Sequence, residues 1–90
     1  GRRNDRPFHG REKIVDDIYS DDRDELLDLL RALKARIRSS KSVSVGHLYE
    51  MIEEKTDPGD FNWGWDDLSN ASITAGNGGW WLELPRAIRL

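Results

Sequence analysis

Apolar residues recur at Leu26, Leu30, Leu33 and Ile37. That i, i+4, i+7, i+11 spacing lays one apolar stripe along an α-helix, and it predicts a helix from Asp22 to about Ser39. Asp21, Asp22, Asp24 and Glu25 crowd the start of this segment, and Arg36 and Arg38 sit in its last turn. Charges so placed complement the helix dipole, each contributing about 0.3–1 kcal/mol. "SSKS" ends the helix. In "VSVGHLYEMIEEK" (43–55), Ser44 is a good N-cap because its hydroxyl accepts from an otherwise unpaired helical N–H. Leu48, Met51 and Ile52 then give the spacing of a second, short helix.

"TDPGD" predicts a turn, with Pro58 breaking the helix and Gly59 tolerating positive φ. "WDDLSNA" predicts a third short helix, with Asp66 or Asp67 near its start and Trp65 and Leu68 docking it into the core. In "SITAGNGGWWLEL" apolar and polar residues alternate on both sides of a Gly- and Asn-rich turn, the pattern of a β-hairpin. "IVDDIY" (14–19) suits a short strand or one helical turn, with the strand preferred. Residues 1–13 lack periodicity and are broken by Pro and Gly, so they are expected to form a basic arm or linker. Residues 14–90 are then expected to form a single α+β domain. Its order is winged-helix-like: three helices followed by a hairpin wing, with an N-terminal strand able to complete a three-stranded sheet.

Several motifs carry a resemblance. "SVGHLYEMI", "GWDDLSNA" and "GGWWLELPR" resemble a small domain family of bacteriophages and some bacteria. The matching positions are Ser44, Val45, Leu48, Tyr49, Gly64, Trp65, Asp67, Leu68, Gly78, Gly79, Trp80, Leu82, Leu84, Pro85 and Arg86. They span roughly residues 22–86 and leave the basic arm outside. The resemblance implies a winged-helix-like fold and a phage-type setting, and no particular activity. Its relatives often carry Arg just before the Gly-Gly pair and a second Pro after the Pro-Arg/Lys. This chain has Asn77 and Ala87 there, so the resemblance carries no phosphate-binding role to the wing tip.

All four tryptophans of the 90-residue chain fall between Trp63 and Trp81. A domain this small buries only roughly 60–65% of the surface that its unfolded chain exposes, so each large apolar side chain matters. Strand alternation sends neighbours to opposite faces. Trp80 should therefore join Leu82 and Leu84 in the core, while Trp81 and Glu83 share the other face. Trp81 is then either partly covered by the N-terminal segment or exposed. Trp63 either caps the edge of the core or lies on the surface.

Charge divides the chain. The net charge is −3, and no Lys or Arg occurs from Thr56 to Pro85, whereas Asp57, Asp60, Asp66, Asp67 and Glu83 lie within that stretch. Cations concentrate at Arg2, Arg3 and Arg6 and again around Lys34, Arg38 and Lys41. There is no cysteine, which excludes disulfides, thiolate metal sites and a cysteine nucleophile. No apolar run reaches membrane-spanning length. The paired aspartates suit helix starts better than acid–base chemistry, "DPGDFNWGWDD" lacks the spacing of a calcium loop, and neither His9 nor His47 sits in a ligand constellation. No nucleophile elbow or phosphate loop is present.

The reading is a non-catalytic interaction or assembly module, with no cofactor and no membrane partner. Its contact face for a protein, or for a second copy, is Trp81, Trp63, Asp66 and Glu83. The alternative is a nucleic-acid binder that uses Arg2, Arg3, Arg6, Lys34, Arg38 and Lys41. An acidic third helix and a cation-free wing disfavour it, because phosphate contacts need cations. The expected setting is the host cytoplasm or a virion. The chain begins at Gly1, as a fragment or a chain with a tag remnant would.

Overall fold

A computed structural model of the chain describes residues 18–90. The expected arm (residues 1–13), positions 14–17 and the candidate cations Arg2, Arg3 and Arg6 lie outside the described residues. The chain forms β1 (Ile18–Ser20), α1 (Arg23–Ser40), β2 (Val43–Ser44), α2 (Val45–Met51), a 3-10 helix (Pro58–Asn62), β3 (Trp63–Trp65), β4 (Ser72–Gly76), β5 (Gly79–Glu83) and β6 (Ile88–Arg89). The strands make two antiparallel three-stranded sheets, ordered β1-β5-β4 and β2-β3-β6.

Local signals set both helices. At the start of α1, the Asp22 carboxylate accepts from the Asp24 N–H at 2.9 Å. The Ser20 hydroxyl accepts from the Asp22 N–H at 3.0 Å and donates to Glu25 Oε1 at 2.6 Å. The helix ends at Lys41, whose φ of 75° turns the chain and whose N–H reaches the Ile37 carbonyl at 2.6 Å. Leu26, Leu30 and Leu33 are buried along one side. At α2 the Ser44 hydroxyl accepts from the His47 N–H at 3.0 Å, satisfying one of the unpaired N–H groups of the first turn.

The winged-helix expectation does not hold. Among the described residues there are two α-helices, and the third helix expected at "WDDLSNA" is replaced by β3 and an irregular turn. Two interactions explain the change. Gly64 pairs with Ser44 so closely that a Cβ on it would collide with the Val43 carbonyl. The extended "WGW" therefore packs where a helix bearing a side chain could not. Next, the Asp67 carboxylate takes the Ser69 N–H at 3.0 Å and the Ser69 hydroxyl at 3.2 Å, and such side-chain capture of backbone donors competes with helix formation. Trp65 and Leu68 are both buried, but from a strand and a turn.

The β4–β5 hairpin turns through Asn77 and Gly78, with φ values of 54° and 82°. Positive φ at both positions is the signature of a type I′ turn. The hairpin is no free wing. β1 pairs with β5 on the side away from β4, which makes β5 a central strand, and α1 packs on this sheet. A sequence reading also misses β6, which closes the second sheet against β3.

One core joins the two sheets: Ile18, Leu26, Leu30, Leu33, Val43, Val45, Leu48, Trp63, Trp65, Leu68, Leu82 and Ala87. The Trp65 indole N–H donates to the Pro85 carbonyl at 2.7 Å, which satisfies the polar atom of a ring that is only 2% exposed. Trp80, expected in the core beside Leu82, is half-buried and carries the Arg23 guanidinium 5.7 Å from its ring centroid.

Candidate functional site

The two faces of the β1-β5-β4 sheet differ in kind. Ile18, Leu82 and Ile73 form one cross-strand row facing α1, while Tyr19, Trp81 and Thr74 form the adjacent row. Alternation turns the second row away from the core. Hydrogen-bonded pairs alternate with non-hydrogen-bonded ones along an antiparallel ladder, and a two-residue hairpin starts with a hydrogen-bonded pair, here Gly76 and Gly79. Counting along β5 makes Tyr19 and Trp81 a non-hydrogen-bonded pair, the kind whose side chains stand closer.

Their ring centroids are 4.9 Å apart with the planes tilted by 59°, within the range of favourable aromatic pairing. Tyr19 is 44% exposed and Trp81 is half-buried. Gly79 seats the pair: a Cβ there would collide with the Tyr19 phenol ring, so the absent side chain lets the ring lie over the strand. Beside the rings, the Thr74 hydroxyl donates to Glu83 Oε2 at 3.1 Å. This ties an exposed carboxylate to the next strand. No acceptor among the described residues takes the Trp81 indole N–H, in contrast to that of Trp65.

The expected contact residues separate into three places. Trp81 and Glu83 share this face. Trp63 is 5% exposed in the β2-β3-β6 sheet, under the Arg89 guanidinium at 5.7 Å from its ring centroid. It is a core residue and cannot serve as a surface anchor. Asp66 lies elsewhere, in a cleft of about 240 Å³ lined by Lys34, Ile37, Asp66, Asp67, Leu68 and Ser69. That is smaller than the ~300–1,000 Å³ typical of small-molecule sites. Sequence reasoning missed Tyr19 and Gly79. The adjacent pair Gly78-Gly79 before Trp80 was the available signal, since one glycine serves the turn and the other leaves room on the sheet face.

The cleft also bears on the alternative. Lys34, Arg38 and Lys41 are exposed on α1 and its cap. Lys34, however, shares the cleft with Asp66 and Asp67, so the basic helix face and the acidic turn adjoin. The Asp67 carboxyl is held below the usual aspartate range, first by the Ser69 backbone N–H and then by the Ser69 hydroxyl, with the Lys34 charge adding to both. Among the described residues, no group of three or more His, Cys, Asp or Glu is placed to hold a metal ion, and no helix is long and apolar enough to cross a membrane.

Comparison with protein-family models, with curated proteins and with solved structures gives no match. The likeness to a phage-type domain family rests on the motifs alone, and the winged-helix fold it implies is not the fold of this chain.

Proposed function

We propose that this domain is a non-catalytic protein-interaction module whose contact surface is the outer face of the β1-β5-β4 sheet, centred on Trp81 and Tyr19. One observation carries the reading. A tryptophan and a tyrosine are paired on the solvent side of a sheet whose other side already supplies the core. Aromatic residues with an apolar body and a polar atom at one end are among the side chains that most often anchor protein interfaces. Glu83, held by Thr74 at the margin, adds a negative charge to the rim and favours a partner with a cation opposite it. A phage-type setting is part of the proposal and rests on the motif resemblance.

The same geometry weighs against nucleic acid. Affinity for phosphates comes largely from cations, and Lys34 adjoins two carboxylates that offset its charge. The test is site-specific photocrosslinking from position 19 in the native host, followed by purification of the crosslinked protein. That protein should bind the wild-type chain, and Trp81→Ala should weaken binding by about 2 kcal/mol or more, roughly thirtyfold. Lys34→Ala should leave it unchanged. Crosslinks confined to nucleic acid, or binding lost with Lys34→Ala and kept with Trp81→Ala, would overturn the proposal.

A further inference from the structure

The edges of the two sheets are protected unequally. β1 is three residues long and runs directly into the cap of α1 through Ser20. β2 has two residues and leads into α2. β6 has two residues, one of them Arg89. β4 is different. It is five residues long, Ser72-Ile73-Thr74-Ala75-Gly76, and lies at the end of its sheet. It contains no charge and no proline, the devices that usually protect a sheet edge from pairing with another chain.

The register identifies what the edge offers. The type I′ turn makes Gly76–Gly79 a hydrogen-bonded pair, so Thr74–Trp81 and Ser72–Glu83 are hydrogen-bonded as well. The N–H and C=O groups of the intervening Ile73 and Ala75 then point outward. A strand laid antiparallel against β4 meets two donors and two acceptors, set two residues apart.

We infer that this edge pairs with the same edge of a second copy, forming a continuous six-stranded sheet across a two-fold axis. The sequence of β4 is complementary to itself in one full-length register. Ile73 exchanges both of its bonds with Ala75 of the partner copy, and Ala75 exchanges both of its bonds with Ile73 of the partner copy. The axis passes between the two Thr74 residues. They form a non-hydrogen-bonded pair on the outer face, where cross-strand threonines are favourable neighbours. On the inner face Ile73 meets Ala75, while on the outer face Ser72 lies opposite Gly76. Neither of the two paired β4 strands carries a charged residue, although the chain carries a net −3. A two-fold contact requires this reciprocity of one patch with itself. This interface is separate from the proposed aromatic contact surface, and joining the two sheets would place both Tyr19–Trp81 pairs on one extended face.

The experiment is sedimentation velocity on the full 90-residue chain, from micromolar to millimolar concentration, beside two edge variants. Thr74→Glu sets two carboxylates against each other at the axis, where the Glu83 carboxylate beside each adds to the repulsion. Ala75→Pro removes an outward N–H that the hairpin itself does not use, at an edge position where proline is tolerated. The wild-type chain should pass from the mass of one copy to the mass of two as concentration rises. Thr74→Glu should raise the dissociation constant at least tenfold with its circular dichroism unchanged, and Ala75→Pro should do the same. If Ala75→Pro unfolds, Thr74→Glu alone decides. A wild-type chain that stays single at millimolar concentration would refute the inference. So would a dimer that survives Thr74→Glu, or one abolished by Trp81→Ala while both edge variants keep it. Trp81→Ala with an intact dimer and a lost heterologous partner would support both proposals.

Discussion

Tyr19 and Trp81 face each other across β1 and β5 at 4.9 Å, and the Tyr19 ring also lies over Gly79. The contact is therefore both a part of the fold and a part of the surface. Trp81→Ala is expected to cost about 1–2 kcal/mol, as for a side chain removed from a half-buried position. A double-mutant cycle with Tyr19→Ala should return a coupling of about 0.5–1.5 kcal/mol. Chemical denaturation of the four proteins measures it. A coupling near zero would mean that the rings are independent in solution.

Trp65 and Trp80 should respond very differently to truncation. Trp65 is 2% exposed and hydrogen-bonded to Pro85, so Trp65→Ala should cost about 3–5 kcal/mol, enough to unfold a marginal domain. Trp65→Phe removes the indole N–H from the Pro85 carbonyl together with part of the ring volume, so its loss should exceed the ~1–3 kcal/mol of an unsatisfied carbonyl alone and stay below that of Trp65→Ala. Trp80 is half-buried beneath Arg23, and Trp80→Ala should cost about half as much as Trp65→Ala or less. Equal losses in thermal melts would contradict this placement of the two rings.

Gly64→Ala tests the crossing of β2 and β3. The added methyl would meet the Val43 carbonyl, a backbone atom held in a buried sheet. Relief requires the strands to separate, and a loss of about 3 kcal/mol or more is expected, at the upper end for a single methyl group. Gly79→Ala makes a useful contrast. The methyl meets the Tyr19 phenol ring, a partly exposed side chain that can swing aside. Stability should fall less, while near-ultraviolet circular dichroism of the aromatic pair should change.

The turn at Asp67 predicts a sign of pH dependence. The Ser69 N–H, the Ser69 hydroxyl and the Lys34 charge all favour the ionised carboxylate in the folded chain. The folded group thus titrates below its unfolded value. Between those two values the unfolded chain binds more protons, so stability rises with pH through that window. The contribution is fully present above the unfolded value and lost as pH falls through the folded one. NMR titration of the Asp67 carboxyl should place its midpoint below that of an ordinary aspartate. Ser69→Ala should move the midpoint upward.

The parts of this fold that could be read from sequence are those fixed by neighbours along the chain. The Leu26/Leu30/Leu33 stripe, the Ser44 cap and the Asn77-Gly78 turn each act within a few residues, and each appears where its pattern places it. The third helix failed because Trp65 and Leu68 have helical spacing, whereas the deciding contact is between Gly64 and Val43, from a distant strand. The outward direction of Trp81 followed from alternation alone. The position of Tyr19 beside it did not, because it depends on a register between two strands at opposite ends of the described chain. Trp63 was misplaced for the same reason: its burial depends on pairing with Arg89 in β6.

The central place of β5 in its sheet has a consequence in time. Ile18 opens the described chain, and its partner Leu82 comes near the close of it. Closing so long a loop costs entropy before any contact is gained, and folds dominated by such pairings assemble slowly. α1 can flicker into helix within microseconds of its own accord, yet the sheet that covers much of its leucine stripe is incomplete until β5 arrives. Pulse-labelled hydrogen exchange during refolding should therefore find the amides of α1 and β5 gaining protection together. A chain emerging from a ribosome would form and lose α1 repeatedly until β5 followed it out.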